Sequence, residues 1–544
     1  MQRAETLQAL AQTEFDVLII GGGINGAVAA SVLSAHGSKV ALVDRGDFAV
    51  GSSSHSSNLA WGGIKYLESG ELLLVQKLCR SRNHLMENYP TRVKEIRFFA
   101  TINRGFRWPA WVIFCGAVLY WFMGACRTRP PRFLRQHTIA NEQPIINSSA
   151  SAGGVEYSDC YLPGNDARFV FNFIRTARQQ QGVIANYVEA LYSTRDANKL
   201  WVTTLQDVRT STELVVRSKA IINACGPYVD AYNQHIGQLT RHKHVFSKGV
   251  HLIVPQLIAE EKILAFFASD GRLFFVIPMG QCTCIGTTDT PVDIPHVTVS
   301  DEDRDFILHN ANHLLRLSKP LTRADIIAER CGVRPLVVKK GKAAQSDWMK
   351  LSRKHQIHSN VTDKFISIFG GKITDCLNVG EEVLDICRQF GVVPEKHWHK
   401  WYGEPSLEEK NQFIEAAAAM GLNHPDSVVS AENNNSQDET IAERWWRRFG
   451  AQAYRLLDLC KDNMELLQRP IPSQDYCGGE IALMGEIECI VTLDDFFRRR
   501  TKIALTMAKA TLLDHPGILA VARLLFGLDQ AEAKVAEYKV QVTG

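Results

Sequence analysis

Hydrophobic and polar positions alternate in blocks that read as strand, helix, strand. An apolar run at Val17–Ile20 ends in Gly21-Gly-Gly23, and helical spacing follows through Gly26. A second apolar run, Val40–Val43, closes on Asp44. Residues 164–245 repeat this αβ character: a helix near Ala167–Gln180, a strand at Val183–Val188, and a buried strand Ala220–Ala224 running into Gly226. The pattern changes at 246–295, where Leu273-Phe-Phe-Val-Ile-Pro278 and Cys282-Thr-Cys-Ile-Gly286 alternate, which predicts an antiparallel sheet in a second layer. Ser300 and Asp303 read as a capping box opening a helix through Leu317. Phe365–Thr374 predicts another strand, turn and helix, and a helix is expected from about Glu71 to Glu87. Beyond about residue 395 helical periodicity dominates, with helices predicted at Ala442–Leu457 and Leu493–Lys509 and a polar loop at His424–Thr440.

Composition narrows this little. At 544 residues the chain exceeds one hydrophobic core, so two or three domains are expected. A net charge of +3 is too balanced for a nucleic-acid partner. Thirteen cysteines without any C-x-x-C argue against a structural zinc site, so no metal is expected, and they suit a reducing compartment. The N-terminus carries Glu5 and lacks a secretory apolar core, which points to the cytoplasmic side. One segment complicates that picture. Trp108–Cys126 contains no charge and is flanked by Arg107, Arg127, Arg129, Arg132 and Arg135. It is compatible with a buried domain helix, a membrane-surface segment or a short span, although Pro109 stands near its start.

The first block carries chemistry as well as structure. Gly21 permits a tight turn, Gly23 lets backbone approach a pyrophosphate, and Gly26 lets the helix pack closely on the strand. The helix N-terminus then offers N–H groups and a positive dipole end to phosphates. Asp44, eighteen residues past Gly26, sits where a carboxylate accepts ribose hydroxyls. Together these predict dinucleotide binding, against the plainer reading of a glycine-rich βαβ unit.

A string of further blocks follows in order: Gly51-Ser-Ser-Ser-His-Ser-Ser-Asn58, Gly62-Gly63 with Tyr66-Leu-Glu68, Glu156-Tyr-Ser-Asp-Cys160, Lys248-Gly-Val-His251, Gly286-Thr-Thr-Asp289, Gly332-Val-Arg-Pro-Leu336, and Phe369-Gly-Gly-Lys-Ile-Thr374. In this series the chain resembles the FAD-dependent glycerol-3-phosphate dehydrogenases of the D-amino-acid-oxidase-type flavoprotein superfamily, over nearly its whole length. The resemblance implies an α/β and α+β protein. Its glutathione-reductase-like, Rossmann-type FAD-binding domain is drawn from 14–75, 150–245 and 330–390. An inserted antiparallel-sheet substrate domain comes from 76–149 and 246–329, and a C-terminal α-helical domain spans 391–544. It implies FAD held by Gly21, Gly23, Ile24, Asn25, Gly26, Asp44, Arg45, Ser52, Ser53, Ser54, Gly62, Gly63, Val188, Gly226, Gly371, Lys372, Ile373 and Thr374. It further implies a small anionic hydroxy substrate, a membrane quinone as electron acceptor, and a peripheral place on the cytoplasmic face of the membrane; the oligomeric state stays open, a dimer being plausible.

Oxidising an alcohol through a flavin requires a base for the hydroxyl proton and charge to hold the substrate. His251 is the expected base, since histidine titrates near neutrality; the alternative is a histidine held structurally on a strand. Arg334, in Gly-Val-Arg-Pro, reads as a turn residue aimed at an anionic group, or as a structural arginine paired with a loop carboxylate. Lys372, at a helix start, opposes the helix dipole unless it binds an anion or the reduced flavin. Lys65 and Tyr66 are expected to complete the substrate cage. Departures from the family's pattern cluster here. Trp61-Gly-Gly-Ile-Lys65 replaces His-Gly-Gly-x-Arg, exchanging a planar fork for a point charge. Asp375-Cys-Leu377 replaces Thr-Tyr-Arg, so an arginine is lost. Two other readings stay open: an FAD-dependent oxidase of a hydroxy acid or amine, and a flavin-binding protein without the ancestral activity.

Overall fold

The structure is a computed structural model; it describes residues 3–543 except 269, 341–353, 396–398, 426–431 and 433–438. Most of the predicted loop at His424–Thr440 therefore lies outside the described residues.

Two large sheets organise the described chain. In the first, the strands Glu14–Ile20, Val40–Val43, Val183–Ala185, Glu213–Asn223 and Phe365–Phe369 run parallel at the centre. Antiparallel strands Gln356–Asn360, Val188–Arg195 and Trp201–Asp207 complete it. Central strands buried on both faces explain the unbroken apolar runs. The helix Ile24–Ala35 is buried at every position, wedged against helices Asp166–Gln179 and Cys376–Gln389. That is why its sequence shows no polar face.

The second sheet has ten strands and is mainly antiparallel, as the alternation at 246–295 predicts. Its longest ladder joins His242–Pro255 to Ala328–Lys339, twelve residue pairs from His242↔Lys339 to Ile253↔Ala328. One pairing is parallel, Lys262–Phe267 on Lys94–Asn103. Ser151–Tyr161 and Ala328–Lys339 stand in this sheet, although the first, and the second from residue 330 on, fall within segments 150–245 and 330–390 of the FAD-binding reading. Their pairing partners lie far away in sequence, so no local pattern reports them.

Several elements differ from expectation. Arg334 lies inside the Ala328–Lys339 strand, opposite Ser247, rather than in a rigid turn, because backbone pairing continues past Pro335. The predicted Ala442–Leu457 helix is two helices, Ile441–Phe449 and Ala453–Asp462, broken where Gly450 takes φ +57°. The predicted Leu493–Lys509 helix is a π-helical turn, Asp495–Arg500, and a short helix, Ile503–Thr506, separated by Thr501 in extended conformation. The charge-free segment forms the helix Ala110–Met123, started by Pro109. Only Ala110, Ala117 and Tyr120 of it are buried, so it is not the buried domain helix that one reading expects. No helix among the described residues is long and apolar enough to cross a membrane.

The helical C-terminal region also braces the first sheet. Arg499 and Arg500 donate to Asp47 at 2.7 and 2.8 Å, in the loop that follows Asp44. The two guanidiniums overcome burial and hold the Asp47 carboxyl down at about 2.

Candidate active site

A cavity of about 930 Å³ runs from the first sheet to the second. At the first-sheet end the wall is backbone. Gly21 takes φ +105°, and a Cβ there would lie 2.5 Å from the Ala224 carbonyl oxygen. A Cβ on Gly26 would lie 1.8 Å from the carbonyl oxygen of Gly21, so turn and helix touch directly. Gly23 ends the turn without a side-chain cap, leaving helix N–H groups beside the cavity. The N–H of Ile24 meets the Ser53 hydroxyl at 3.1 Å, which fixes the serine loop against this terminus.

Asp44 accepts from the N–H groups of Gly22 at 2.7 Å and Gly46 at 2.8 Å. Burial nonetheless pushes its carboxyl up to about 6. Each carboxylate oxygen retains acceptor capacity beyond these bonds. Asn25 donates to the Gly370 carbonyl at 2.9 Å, while its buried Oδ1 has no partner. Gly371, at φ +107°, passes so close that a Cβ would sit 3.0 Å from that oxygen. A backbone-lined channel with a helix N-terminus, an acid and an unpaired amide oxygen fits a dinucleotide cofactor.

Of the predicted cofactor residues, Gly21, Gly23, Ile24, Asn25, Asp44, Arg45, Ser52, Ser53, Val188, Gly226, Gly371, Lys372, Ile373 and Thr374 line this cavity. Gly26, Ser54, Gly62 and Gly63 do not face it. The three glycines are packed against neighbours that leave no room for a side chain: a Cβ on Gly62 would meet the Tyr120 hydroxyl at 2.2 Å, and one on Gly63 the Tyr66 ring at 2.6 Å.

The second-sheet end is built from side chains. His251 projects from the His242–Pro255 strand and its Nε2 lies 2.9 Å from the Ser57 hydroxyl. Burial, with Arg334, Arg330 and His55 nearby, drives its pKa well below the usual imidazole value, so the ring is neutral. Its Nδ1 is buried without a partner. Arg334 lies flat over Gly249 and donates to Asp289 at 3.1 Å and to the Thr287 hydroxyl at 2.9 Å. It thus pairs with a loop carboxylate and lines the cavity at the same time. Lys372 donates to the Tyr66 hydroxyl at 2.7 Å and sits 4.2 Å from the ring centre. Lys65 and Tyr66, in the turn Ile64–Leu67, also line this end, as does Trp61. The structure therefore brings together all five predicted catalytic residues. Sequence reasoning missed Ser57 as the partner of His251, and His55 and Arg272 as lining residues. The serine-rich loop was the available signal for Ser57, but nothing local singles out one serine of five.

Residues 16–347 match the family described as FAD dependent oxidoreductase, and residues 401–533 match the C-terminal domain of alpha-glycerophosphate oxidase. The first match spans more than half of the chain. The protein belongs to the FAD dependent oxidoreductase family. Among curated relatives, the aerobic glycerol-3-phosphate dehydrogenase of Bacillus subtilis (strain 168) is 28% identical over 513 residues, covering 92% of this chain and 89% of that one. Glycerol-3-phosphate dehydrogenase 2 of Mycobacterium tuberculosis (strain H37Rv) is 29% identical over 511 residues, covering 93% and 83%. The solved glycerol-3-phosphate dehydrogenase from Bacillus halodurans, complexed with FAD, shares the fold at TM-score 0.72 and 23% identity, covering 99% of this chain and 96% of that one. FAD is accordingly the cofactor of this oxidoreductase, and its dinucleotide character agrees with the backbone-lined channel.

Proposed function

We propose that the protein oxidises the secondary hydroxyl of glycerol 3-phosphate and passes the electrons to a membrane quinone. The observation that carries this is one neutral, buried histidine that lines the far end of a dinucleotide channel together with three cationic side chains, Arg334, Lys372 and Lys65. The curated relatives named for glycerol 3-phosphate support the substrate. Bound FAD supplies the acceptor for the hydride that leaves the carbinol carbon. His251 takes the hydroxyl proton, and the hydrogen bond between its Nε2 and the Ser57 hydroxyl orients its ring. Arg334 and Lys372 hold the phosphate, with Lys65 and Tyr66 completing the cage. The remaining cofactor contacts follow the lining residues, with Asp44 receiving the ribose hydroxyls. On this reading the chain divides into an FAD-binding domain, a substrate domain and a C-terminal helical domain.

The surface helix Ala110–Met123 supports the quinone and membrane part. Trp111 and Phe122 are each 62% exposed, Trp108 and Leu119 about half. Arg107, Arg127 and Arg129 flank them with their side chains well exposed. Aromatic surface with cationic flanks suits an anionic lipid interface.

Anaerobic addition of glycerol 3-phosphate is expected to bleach the bound flavin. Bleaching only by a different phosphorylated polyol rejects the substrate and keeps the reaction class. No bleaching by a broad panel leaves a flavin-binding protein. Hydrogen peroxide formed in aerobic turnover marks an oxidase instead of a quinone-linked dehydrogenase.

A further inference from the structure

The Ala110–Met123 helix presents a second, inward face that reaches the cavity wall. Ala110, Ala117 and Tyr120 recur on one side of it and are buried. The Tyr120 hydroxyl donates to Asp159 Oδ2 at 2.6 Å. Asp159, from the Ser151–Tyr161 strand, accepts the backbone N–H of Gly62 at 3.2 Å on each of its oxygens. Arg82, from the helix Leu72–Asn88, closes the cluster at 3.3 Å from the hydroxyl and 3.4 Å from the carboxylate. Tyr120, Asp159 and Arg82 are all buried, and none lines the cavity.

The loop they grip is itself part of the cavity. Trp61, Lys65 and Tyr66 line it, and the loop's other side is tied to the segment after Gly371. There the Thr374 hydroxyl donates to the Trp61 carbonyl at 3.2 Å, and Lys372 donates to Tyr66. Gly62 therefore lies between an anchored carboxylate behind it and the flavin-facing segment in front. Because a Cβ at Gly62 would strike the Tyr120 hydroxyl, the loop has no freedom to move towards the helix.

We infer that Tyr120 is a positioning residue: through Asp159 it fixes the Trp61–Gly63 backbone, and so the placement of Trp61, Lys65 and Tyr66 in the site. This rests on the reading of the cavity as the flavin and substrate site, and it extends that reading to a residue outside the cavity. The cost of leaving Asp159 with one donor fewer falls on the loop, since Arg82 and the carboxylate stay in place.

The test is Tyr120→Phe in the flavin-loaded full chain, which removes one hydroxyl and keeps the ring. Visible circular dichroism of the bound flavin is expected to change, and KM for glycerol 3-phosphate to rise about fivefold with a smaller change in kcat, the size of one hydrogen bond. Cys115→Ser, on the exposed face of the same helix, is expected to match wild type in both readouts. Wild-type dichroism and wild-type KM in Tyr120→Phe would overturn the inference. So would an equal change in Cys115→Ser, which would trace the effect to the helix as a whole. Dichroism needs no substrate, so failure of glycerol 3-phosphate to react leaves this readout standing and is told apart from failure of the inference.

Discussion

The two ends of the cavity are made of different material. At the dinucleotide end the functional groups are mostly main chain: N–H groups at a helix start, glycines at positive φ, and one carboxylate held by two backbone donors. At the substrate end they are side chains delivered by segments far apart in sequence, His251 and Arg334 from paired strands, Lys65 and Tyr66 from one turn, Lys372 from another. Main-chain sites tolerate almost no change in residue volume but are indifferent to surrounding chemistry. Side-chain sites invert this: the scaffold accepts Lys for Arg or Trp for His, and the chemistry shifts. Of the departures from the family's pattern, Trp61 and Lys65 fall at the second end, whereas Leu377 is packed in the core against the first sheet.

The largest effect should come from the main-chain end. In Gly26→Ala the new methyl group would lie 1.8 Å from the Gly21 carbonyl oxygen, a distance only backbone movement relieves. The turn and the helix N-terminus would separate, and with them the phosphate site. Purified Gly26→Ala is expected to carry little or no flavin, read as the ratio of flavin absorbance to protein. Full flavin occupancy would show that close packing there is not what forms the site.

The second effect breaks the substrate end alone. His251→Asn should retain flavin but reduce the anaerobic rate of flavin bleaching by about 10²–10⁴-fold, the range of a general base. The pH dependence has a definite sign. His251 is depressed well below its usual value and His55 to about 3, both chiefly by burial. Between those values and the unfolded value near 6.5 the unfolded chain binds more protons, so stability falls as pH drops through that window. The neutral base persists over the same window. The bleaching rate should therefore hold through pH 6.5 and decline only in more acid solution. A rate that halves at pH 6.5 would mean that His251 is not the group being titrated.

The same contrast explains what was legible in the sequence. Gly21, Gly23, Gly26 and Asp44 stand within one local βαβ unit, so spacing alone predicts their arrangement. Arg334 was legible as a residue but not as a strand residue, because its register is set by its pairing with Ser247, 87 residues upstream. The second sheet collects Ser151–Tyr161 and Ala328–Lys339 for the same reason. The helix breaks at Gly450 and Thr501 are not legible because apolar periodicity continues across them, while the backbone turns to positive φ at Gly450 and becomes extended at Thr501. The half-exposed helix Ala110–Met123 was ambiguous because its sequence is apolar all round; only its packing shows which face is covered.

The smallest effect sharpens the comparison. Lys65 stands where the family's pattern has arginine, and its ammonium offers a point charge rather than two parallel donors. If the substrate end evolves by exchanging side chains on a fixed scaffold, Lys65→Arg should improve the grip on phosphate without disturbing flavin. A bidentate contact in place of a single one is worth about 0.5–1 kcal/mol at a partly exposed position, so KM for glycerol 3-phosphate should fall about two- to fivefold with kcat nearly unchanged. Flavin content and visible dichroism should match wild type. An unchanged or higher KM would mean that Trp61 has reshaped the loop so that residue 65 no longer reaches the phosphate. The substrate end would then differ from its relatives in geometry as well as in chemistry. Repeating the measurement in Trp61→His/Lys65→Arg separates the two: recovery only in the double variant assigns the change to the indole's bulk, because the guanidinium is present in both.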